Sequence, residues 1–233
     1  MRLEQSIDAH LVRRATVVAV AEAVKRELVE LFRVPEEQIV VIPNAVNKRE
    51  IQEGTAAPVT CPWNSDIPVV ITAGRLTLQK GQWHLIRAFA EVRKRIPCQL
   101  AILGSGELED YLRGMAKELG VERDVFFLGW QKNPYKFMTR ADLFVLPSLT
   151  EGFGFSAAGG DGMRLAGHCD RLSRRAERSH SAGNDWTSRA DAIIRILHDK
   201  EMSTRYVAAG LVRVRDFDHA LFLDRYQRLI EKT

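Results

Sequence analysis

Three glycine-containing segments carry charged side chains whose types and spacing could do chemistry. The first is Gly74-Arg75-Leu76 with Lys80-Gly81 a few residues later. An arginine and a lysine beside the start of a helix suit a diphosphate. The guanidinium binds in a bidentate way, the ammonium is a compact charge, and the first N–H groups of a helix point at an anion. On spacing alone, a solvated turn with surface charges is the more frequent explanation of the same residues.

The other two segments read GSGE at 104–107 and EGFG at 151–154. Glycines in the former permit positive φ and a close approach of the backbone to a ligand, although most such turns are only turns. In the latter, the carboxylate of Glu151 could accept hydrogen bonds from sugar hydroxyls while backbone N–H groups face the ligand. An exposed acidic turn explains this segment equally well.

Other kinds of site find less support in the sequence. The six histidines form no cluster, and His168 beside Cys169 has no further partner at the spacing of metal ligands. No nucleophile-elbow sequence or Ser-His-Asp arrangement is present. Trp130 and Tyr135 could stack on a ring, but packing against the domain is the more frequent role for such residues.

The elements that must position these segments alternate along the chain. Strands are predicted over 16–20, 39–42, 69–73, 99–103, 125–128 and 143–146. Helices are predicted over 21–32, 83–93, 108–119, 134–139, 189–198, 204–214 and 219–231. Apolar strands alternating with helices indicate a parallel sheet in an α/β domain, and all three segments follow strands of that sheet. Ligands of such sheets bind outside the carboxyl ends of the strands.

Composition and charge narrow the class of protein. The chain has 233 residues, of which 45% are apolar and 27% charged, as in ordinary globular proteins. No run of eighteen apolar residues occurs, and the first ten residues lack the apolar core of a secretory signal. The formal charge of +4 mildly favours anionic partners. Three cysteines without metal-type spacing predict free thiols in a reducing compartment.

One long stretch departs from this pattern. Residues 146–192 contain neither valine nor isoleucine, and six arginines fall within this stretch. A parallel-sheet protein should have another β-branched strand there, so local composition and global fold disagree.

Taken in order, the motifs resemble the family 4 (group 1) glycosyltransferases, which are retaining enzymes of the two-domain GT-B fold. The resemblance rests on GRL at 74–76 with the downstream KG, on GSGE, on ADLFVLPS at 141–148 and on EGFG. It covers about 15–154 and resumes weakly over 186–231. It implies a Rossmann-like parallel sheet flanked by helices. Residues 68–233 would form the donor-binding domain, 53–67 a linker, and 1–52 a short αβ remnant of the acceptor domain.

The resemblance also implies roles for individual residues. Arg75 and Lys80 match the pair that neutralises the diphosphate of a nucleotide-sugar donor, and Glu151 matches the first acid of an E-x7-E motif near the sugar. Further donor-binding positions implied by the family are Gly74, Gly104, Ser105, Gly106, Gly152, Phe153 and Gly154. The family needs no metal or other cofactor. Its setting implies a cytoplasmic protein, at times on the inner membrane surface, that acts on a glycan or lipid-linked acceptor.

Two departures from the family pattern matter. Most of the acceptor domain has no counterpart, and Gly159 stands where the second glutamate of E-x7-E belongs. A shifted reading frame from about residue 156 explains the second departure, the loss of this glutamate. Read one base later, 156–180 back-translates to SLLEAMACGLPVIATDCPAGPSEI, which restores that glutamate. We therefore interpret 155–185 as aberrant, without the strand and helix that complete the sheet.

Three functions follow from this interpretation. The first is a hexosyl-type glycosyltransferase, impaired in this chain, whose activity the sequence leaves open. The second is a non-catalytic nucleotide-sugar-binding module that works with a separate acceptor-domain chain. A nucleic-acid-binding protein ranks last, because the arginines lack interleaved aromatic residues and are interrupted by Asp161, Asp170 and Glu177.

Overall fold

The fold was described from a computed structural model, covering residues 15–149, 166–167, 186–213 and 217–231. Its strands are β1 Val17–Ala19, β2 Ile39–Val41, β3 Val69–Ala73, β4 Gln99–Leu103, β5 Val125–Phe127, β6 Leu143–Phe144 and β7 Ala166–Gly167. Its α-helices are α1 Glu22–Glu30, α2 Lys48–Ala56, α3 Gln82–Arg93, α4 Glu109–Glu118, α5 Tyr135–Met138, α6 Trp186–His198, α7 Lys200–Arg213 and α8 His219–Ile230. Short 3-10 helices occupy Glu36–Gln38 and Leu78–Lys80.

The larger sheet is parallel and has the strand order β5-β4-β3-β6-β7. The chain moves outward from β3 through β4 to β5, and then returns to the other side of β3 to form β6. The strand order therefore reverses between β3 and β6. This parallel α/β architecture confirms the fold class that the alternation of strands and helices predicted.

Both faces of this sheet are covered, which explains the continuous apolar strands. Val70, Leu100 and Ile102 pack with α3, α4 and α6 on one face. On the other face, Ile71 and Leu103 pack with a group that includes Trp63, Phe137 and Phe144. Because neighbouring residues of a strand point to opposite faces, a sheet covered on both sides needs apolar side chains at every position.

By its internal contacts the chain divides into two compact units. The first contains the described residues of 1–46 and 216–233, and the second those of 47–150 and 155–215. In the first unit, β1 pairs in parallel with β2, and Ala19, Val34 and Ile39 form a small core under α1. The backbone N–H of Val46 donates to the carbonyl of Phe217 at 2.8 Å.

These units differ from the domains that the sequence predicted, with a first part over 1–52 and a linker over 53–67. Residues 48–56 instead form α2, capped by the side chain of Asn47 on the N–H of Glu50. The side-chain amide of Asn133 donates to the carbonyl of Gly54 at 3.0 Å, and Ile51 is buried. These contacts place α2 in the second unit, while 217–231 belong to the first.

The segment interpreted as aberrant is described only at Ala166–Gly167. These residues pair in parallel with Leu143–Phe144, so the prediction that the segment supplies no strand is wrong at these two positions. Residues 155–165 and 168–185 lie outside the described part of the chain. Among the helices that the structure describes, none is long and apolar enough to cross a membrane.

Candidate functional site

The candidate site lies where the strand order reverses, at the carboxyl ends of β3 and β6. Where the strand order of a doubly wound sheet reverses, neighbouring loops generally run in opposite directions and ligands bind in the crevice between them. The loop after β3 carries the first predicted segment, and the loop after β6 leads to the third. The second predicted segment follows β4, the neighbour of β3 on its other side.

Backbone hydrogen bonds join the first two segments to each other. The N–H of Gly74 donates to the carbonyl of Leu103 at 3.0 Å, and the N–H of Leu76 donates to the carbonyl of Ser105 at 3.0 Å. The N–H of Leu108 in turn donates to the carbonyl of Leu76 at 3.1 Å. The turn that carries Arg75 is therefore fixed on both sides by the loop after β4, while Arg75 itself is exposed.

The glycines of the second segment serve this contact between loops. A Cβ at Gly104, where φ is +127°, would lie 2.0 Å from the carbonyl oxygen of Gly74. A Cβ at Gly106 would lie 2.4 Å from the carbonyl oxygen of Leu76. The sequence predicted a close approach of backbone to a ligand. The structure shows that the backbone these glycines approach belongs to the neighbouring loop.

Lys80 lies at the end of the 3-10 helix that precedes α3. Its Cγ and Cδ atoms lie 3.8 and 3.7 Å from the position that a Cβ on Gly74 would occupy, so the lysine stem rests on this glycine. Gly81 follows in the left-handed conformation, with φ of +63°, and is the residue before α3. The structure therefore brings Lys80 back to the residue next to Arg75 and places both beside the first turn of α3.

The loop after β6 reaches the same region. A Cβ at Gly81 would lie 2.4 Å from the carbonyl oxygen of Pro147, and the N–H of Leu149 donates to the carbonyl of Gln79 at 2.9 Å. The chain is thus fixed beside Lys80 two residues before Glu151. Glu151, Gly152, Phe153 and Gly154 lie outside the described residues, and their predicted roles stay predictions.

Gln82 is a residue of this region that sequence reasoning missed. It is the first residue of α3, is only 2% exposed, and donates from its side-chain Nε2 to the carbonyl of Arg75 at 2.9 Å. A polar residue at the first position of a helix is ordinary, so the sequence held no signal for this contact. The contact forms only when the turn and the helix meet.

The two candidate aromatic residues differ in the structure. Tyr135 is half-buried beside Gly54, and burial raises the pKa of its hydroxyl, as expected of a side chain that packs within the domain. Trp130 follows β5 and is 70% exposed. The carbonyl of Gly129, the residue before it, accepts a hydrogen bond from the N–H of Gly104 at 2.8 Å. Trp130 is therefore an exposed aromatic ring next to the loop after β4.

Metal-ligating side chains do not converge in the described part of the chain, where no three of His, Cys, Asp or Glu lie close enough to hold an ion. Of the three cysteines, Cys61 and Cys98 are described, and both are free thiols. Arg75 and Lys80 are cations that the described part of the chain places beyond the carboxyl end of β3.

Fold and site together define a Rossmann-like α/β domain of the kind found in GT-B proteins. Comparison of sequences gives the family: residues 59–158 match glycosyl transferases group 1. This match covers 100 of the 233 residues and agrees with the family that the motifs predicted.

Known proteins similar to this chain agree with the family. An uncharacterized glycosyltransferase of Methanocaldococcus jannaschii is 27% identical over 261 residues, which cover 94% of this chain and 64% of the relative. The lipopolysaccharide core biosynthesis glycosyltransferase LpsD of Rhizobium meliloti is 30% identical over 203 residues, covering 83% of this chain and 57% of the relative. The chain therefore spans less than two thirds of the length of these curated relatives.

A solved structure shows the same fold. The crystal structure of HepE from Anabaena in complex with UDP-glucose superposes with a TM-score of 0.78 over 96% of this chain and 66% of that one. The two sequences are 19% identical, so this likeness supports the architecture of the chain and not its chemistry.

Proposed function

We propose that this chain binds a nucleotide-sugar donor through its diphosphate, as the donor half of a retaining hexosyl-type glycosyltransferase. The observation that carries the proposal is the return of Lys80 onto Gly74, which sets its ammonium-bearing stem beside the turn of Arg75 at the start of α3. Two cations and a helix N-terminus at the crevice of a doubly wound sheet suit a diphosphate.

Arg75 and Lys80 would also stabilise the leaving group of the reaction. When a glycosidic bond to a nucleoside diphosphate breaks, negative charge grows on the departing phosphate. Fixed cations in place before the reaction stabilise that charge without reorganising. Arg75 would bind phosphate oxygens with its planar guanidinium and Lys80 with its ammonium. Glu151 and the backbone of 152–154 would bind the sugar.

Two consequences separate this proposal from others. Since the side chains supply the positive charge, the proposed site needs no metal ion. Removal of divalent ions with EDTA should leave nucleotide affinity unchanged.

An acceptor glycan or lipid-linked sugar would complete a transferase, whereas a non-catalytic module would bind the donor without turning it over. Release of free sugar from the donor distinguishes these two.

Calorimetric titration tests the proposal with UDP, GDP and ADP, with UDP first because the Anabaena relative is described with UDP-glucose. Replacing Arg75 or Lys80 by alanine should weaken binding by about ten- to hundredfold, since each charge-assisted contact contributes about 1.5–3 kcal/mol. Matched controls are Arg123→Ala and Lys117→Ala, two exposed cations near the amino end of β5, which should bind like the wild type. Equal losses in all four variants, or binding of no nucleotide, would reject the proposal.

A further inference from the structure

The buried amide of Gln82 is a polar side chain that the proposed diphosphate site does not use directly. Its side chain is 2% exposed, and its Nε2 donates to the carbonyl of Arg75 at 2.9 Å. Within the part of the chain that the structure describes, its buried Oε1 has no hydrogen-bond partner. Burying an amide with one oxygen unsatisfied costs free energy, and an apolar side chain of the same length would avoid that cost. The hydrogen bond from Nε2 to the Arg75 carbonyl is therefore the contact through which this amide acts.

The side-chain amide of Gln82 contacts the middle of the turn formed by residues 74–76. Residues 74 and 76 are fixed by the backbone hydrogen bonds of Gly74 to Leu103 and of Leu76 to Ser105. The carbonyl of Arg75, between them, accepts from the backbone N–H of Thr77 at 3.0 Å and from the side chain of Gln82, which is its contact with α3. Lys80 and Gly81 lie immediately before that helix. Gln82 thus ties the turn that carries one cation to the helix start that carries the other.

The geometry points to Gln82 as a positioning residue, which fixes the Arg75 turn relative to Lys80 so that both cations meet one diphosphate. This inference rests on the proposed function. Gln82 acts on the ligand through Arg75, because its own donor group is engaged by the Arg75 carbonyl. Preorganised charges bind an anion more tightly than charges that must be ordered on binding.

A matched pair of variants tests this role. Gln82→Met keeps the length of the side chain and removes the donor. Gln99→Met also keeps the length of the side chain, and it removes the acceptor at a second buried glutamine. Gln99 is 7% exposed, accepts from the N–H of Asn64 at 3.0 Å and begins β4 at the opposite end of the sheet. Both variants lose one side-chain hydrogen bond to the backbone. If positioning matters, Gln82→Met weakens binding of the best of UDP, GDP and ADP by about five- to tenfold, and Gln99→Met leaves it within about twofold.

A double-mutant cycle with Arg75→Ala shows whether the effect acts through the arginine. In the Arg75→Ala background, Gln82→Met should cause no further loss, because the cation it positions is gone. Additive losses would overturn the inference, and so would equal effects of Gln82→Met and Gln99→Met in the protein that retains Arg75.

Hydrogen exchange without ligand separates failure of this inference from failure of the proposed function. Gln82→Met should speed exchange at the amides of 74–81 and leave those of β4 unchanged, since only the tether is lost. If the wild type binds none of the three nucleotides, the proposed function is rejected, and the inference falls with it. If it binds but exchange at 74–81 is unchanged in Gln82→Met, only the positioning role is rejected.

Discussion

At the scale of single residues, the loop after β4 packs so closely on the Arg75 turn that two of its positions have no room for a side chain. The tightest is Gly104, where a Cβ would lie 2.0 Å from the carbonyl oxygen of Gly74 and where φ is +127°. Both the overlap and the backbone conformation oppose any other residue. The glycines of the GSGE segment are thus needed for the loop after β4 to pack against the Arg75 turn, independently of any contact with a ligand.

We expect Gly104→Ala to destabilise the chain by about 3 kcal/mol or more, because the loops must separate and the backbone is strained. Gly114→Ala is the matched control. Gly114 lies in α4 with no atom within 4 Å of an added Cβ, so alanine there should stabilise by about 0.5–1 kcal/mol. Urea unfolding of both variants measures the difference. Equal stabilities would show that the loops are not packed as described.

Two tryptophans of the second unit should differ in how much their replacement by alanine lowers the unfolding free energy. Trp63 is 7% exposed and lies 6.5 Å from Phe126 and 6.2 Å from Phe137, measured between ring centroids, whereas Trp130 is 70% exposed. Trp63→Ala should therefore cost about 3–5 kcal/mol of unfolding free energy, and Trp130→Ala less than about 0.5 kcal/mol. A large loss of unfolding free energy in Trp130→Ala would mean that its ring packs within the domain.

At the scale of elements, β4 begins beside a buried thiol whose ionisation is coupled to folding. Burial raises the pKa of Cys98 from an ordinary value of 9.0 to about 12. The folded state therefore favours the neutral thiol, and the stability this contributes is fully present below pH 9. It is lost as the pH rises from 9 towards 12.

Cys98→Ala should remove this alkaline loss. Between pH 9 and pH 10 the unfolding free energy of the wild type should fall by roughly 1 kcal/mol more than that of the variant. The raised pKa of Tyr135 is common to both proteins and cancels in the difference. Guanidinium unfolding at a series of pH values gives the two profiles, and parallel profiles would show that the thiol is not buried.

At the scale of the whole molecule, the two compact units have unequal cores. Among the described residues, the second unit has a parallel sheet covered on both faces, whereas the first has a small core in which Ala19, Val34 and Ile39 cluster between β1, β2 and α1. Local opening is easier where fewer apolar contacts are lost. We therefore expect the amides of β3 and β4 to exchange with solvent at least about 100-fold more slowly than those of β1 and β2. Mass-spectrometric hydrogen exchange measures both, and equal protection would contradict the division into units of different stability.

The reading-frame hypothesis also belongs to this scale. The match to glycosyl transferases group 1 ends at residue 158, close to residue 156, where the hypothesis places the change of frame. The hypothesis stays a prediction about the gene. Its coding DNA decides it, since codons that cannot yield the family-like text in the shifted frame would reject it.

Much of the second unit could be predicted because its signals are local. β3 and β4 have the bounds that the sequence predicted, since both are largely apolar runs that are followed by a glycine. The family motifs also follow from the sequence directly. The helix over Lys48–Ala56 was interpreted in part as a linker, because its contacts with Asn133 and α5 come from a segment about 80 residues away.

The sequence by itself determined the α/β class, the order of most strands and helices and the resemblance to a family, and it predicted the cationic pair, because strand and helix periods and short motifs are properties of neighbouring residues. Only the tertiary structure decided why Gly104 must be glycine, that Lys80 returns to Gly74, and that Gln82 holds the Arg75 turn. Each of these depends on where separate loops meet at the carboxyl ends of the strands. That meeting is set by the packing of the sheet and its helices, and no local pattern of residues encodes it.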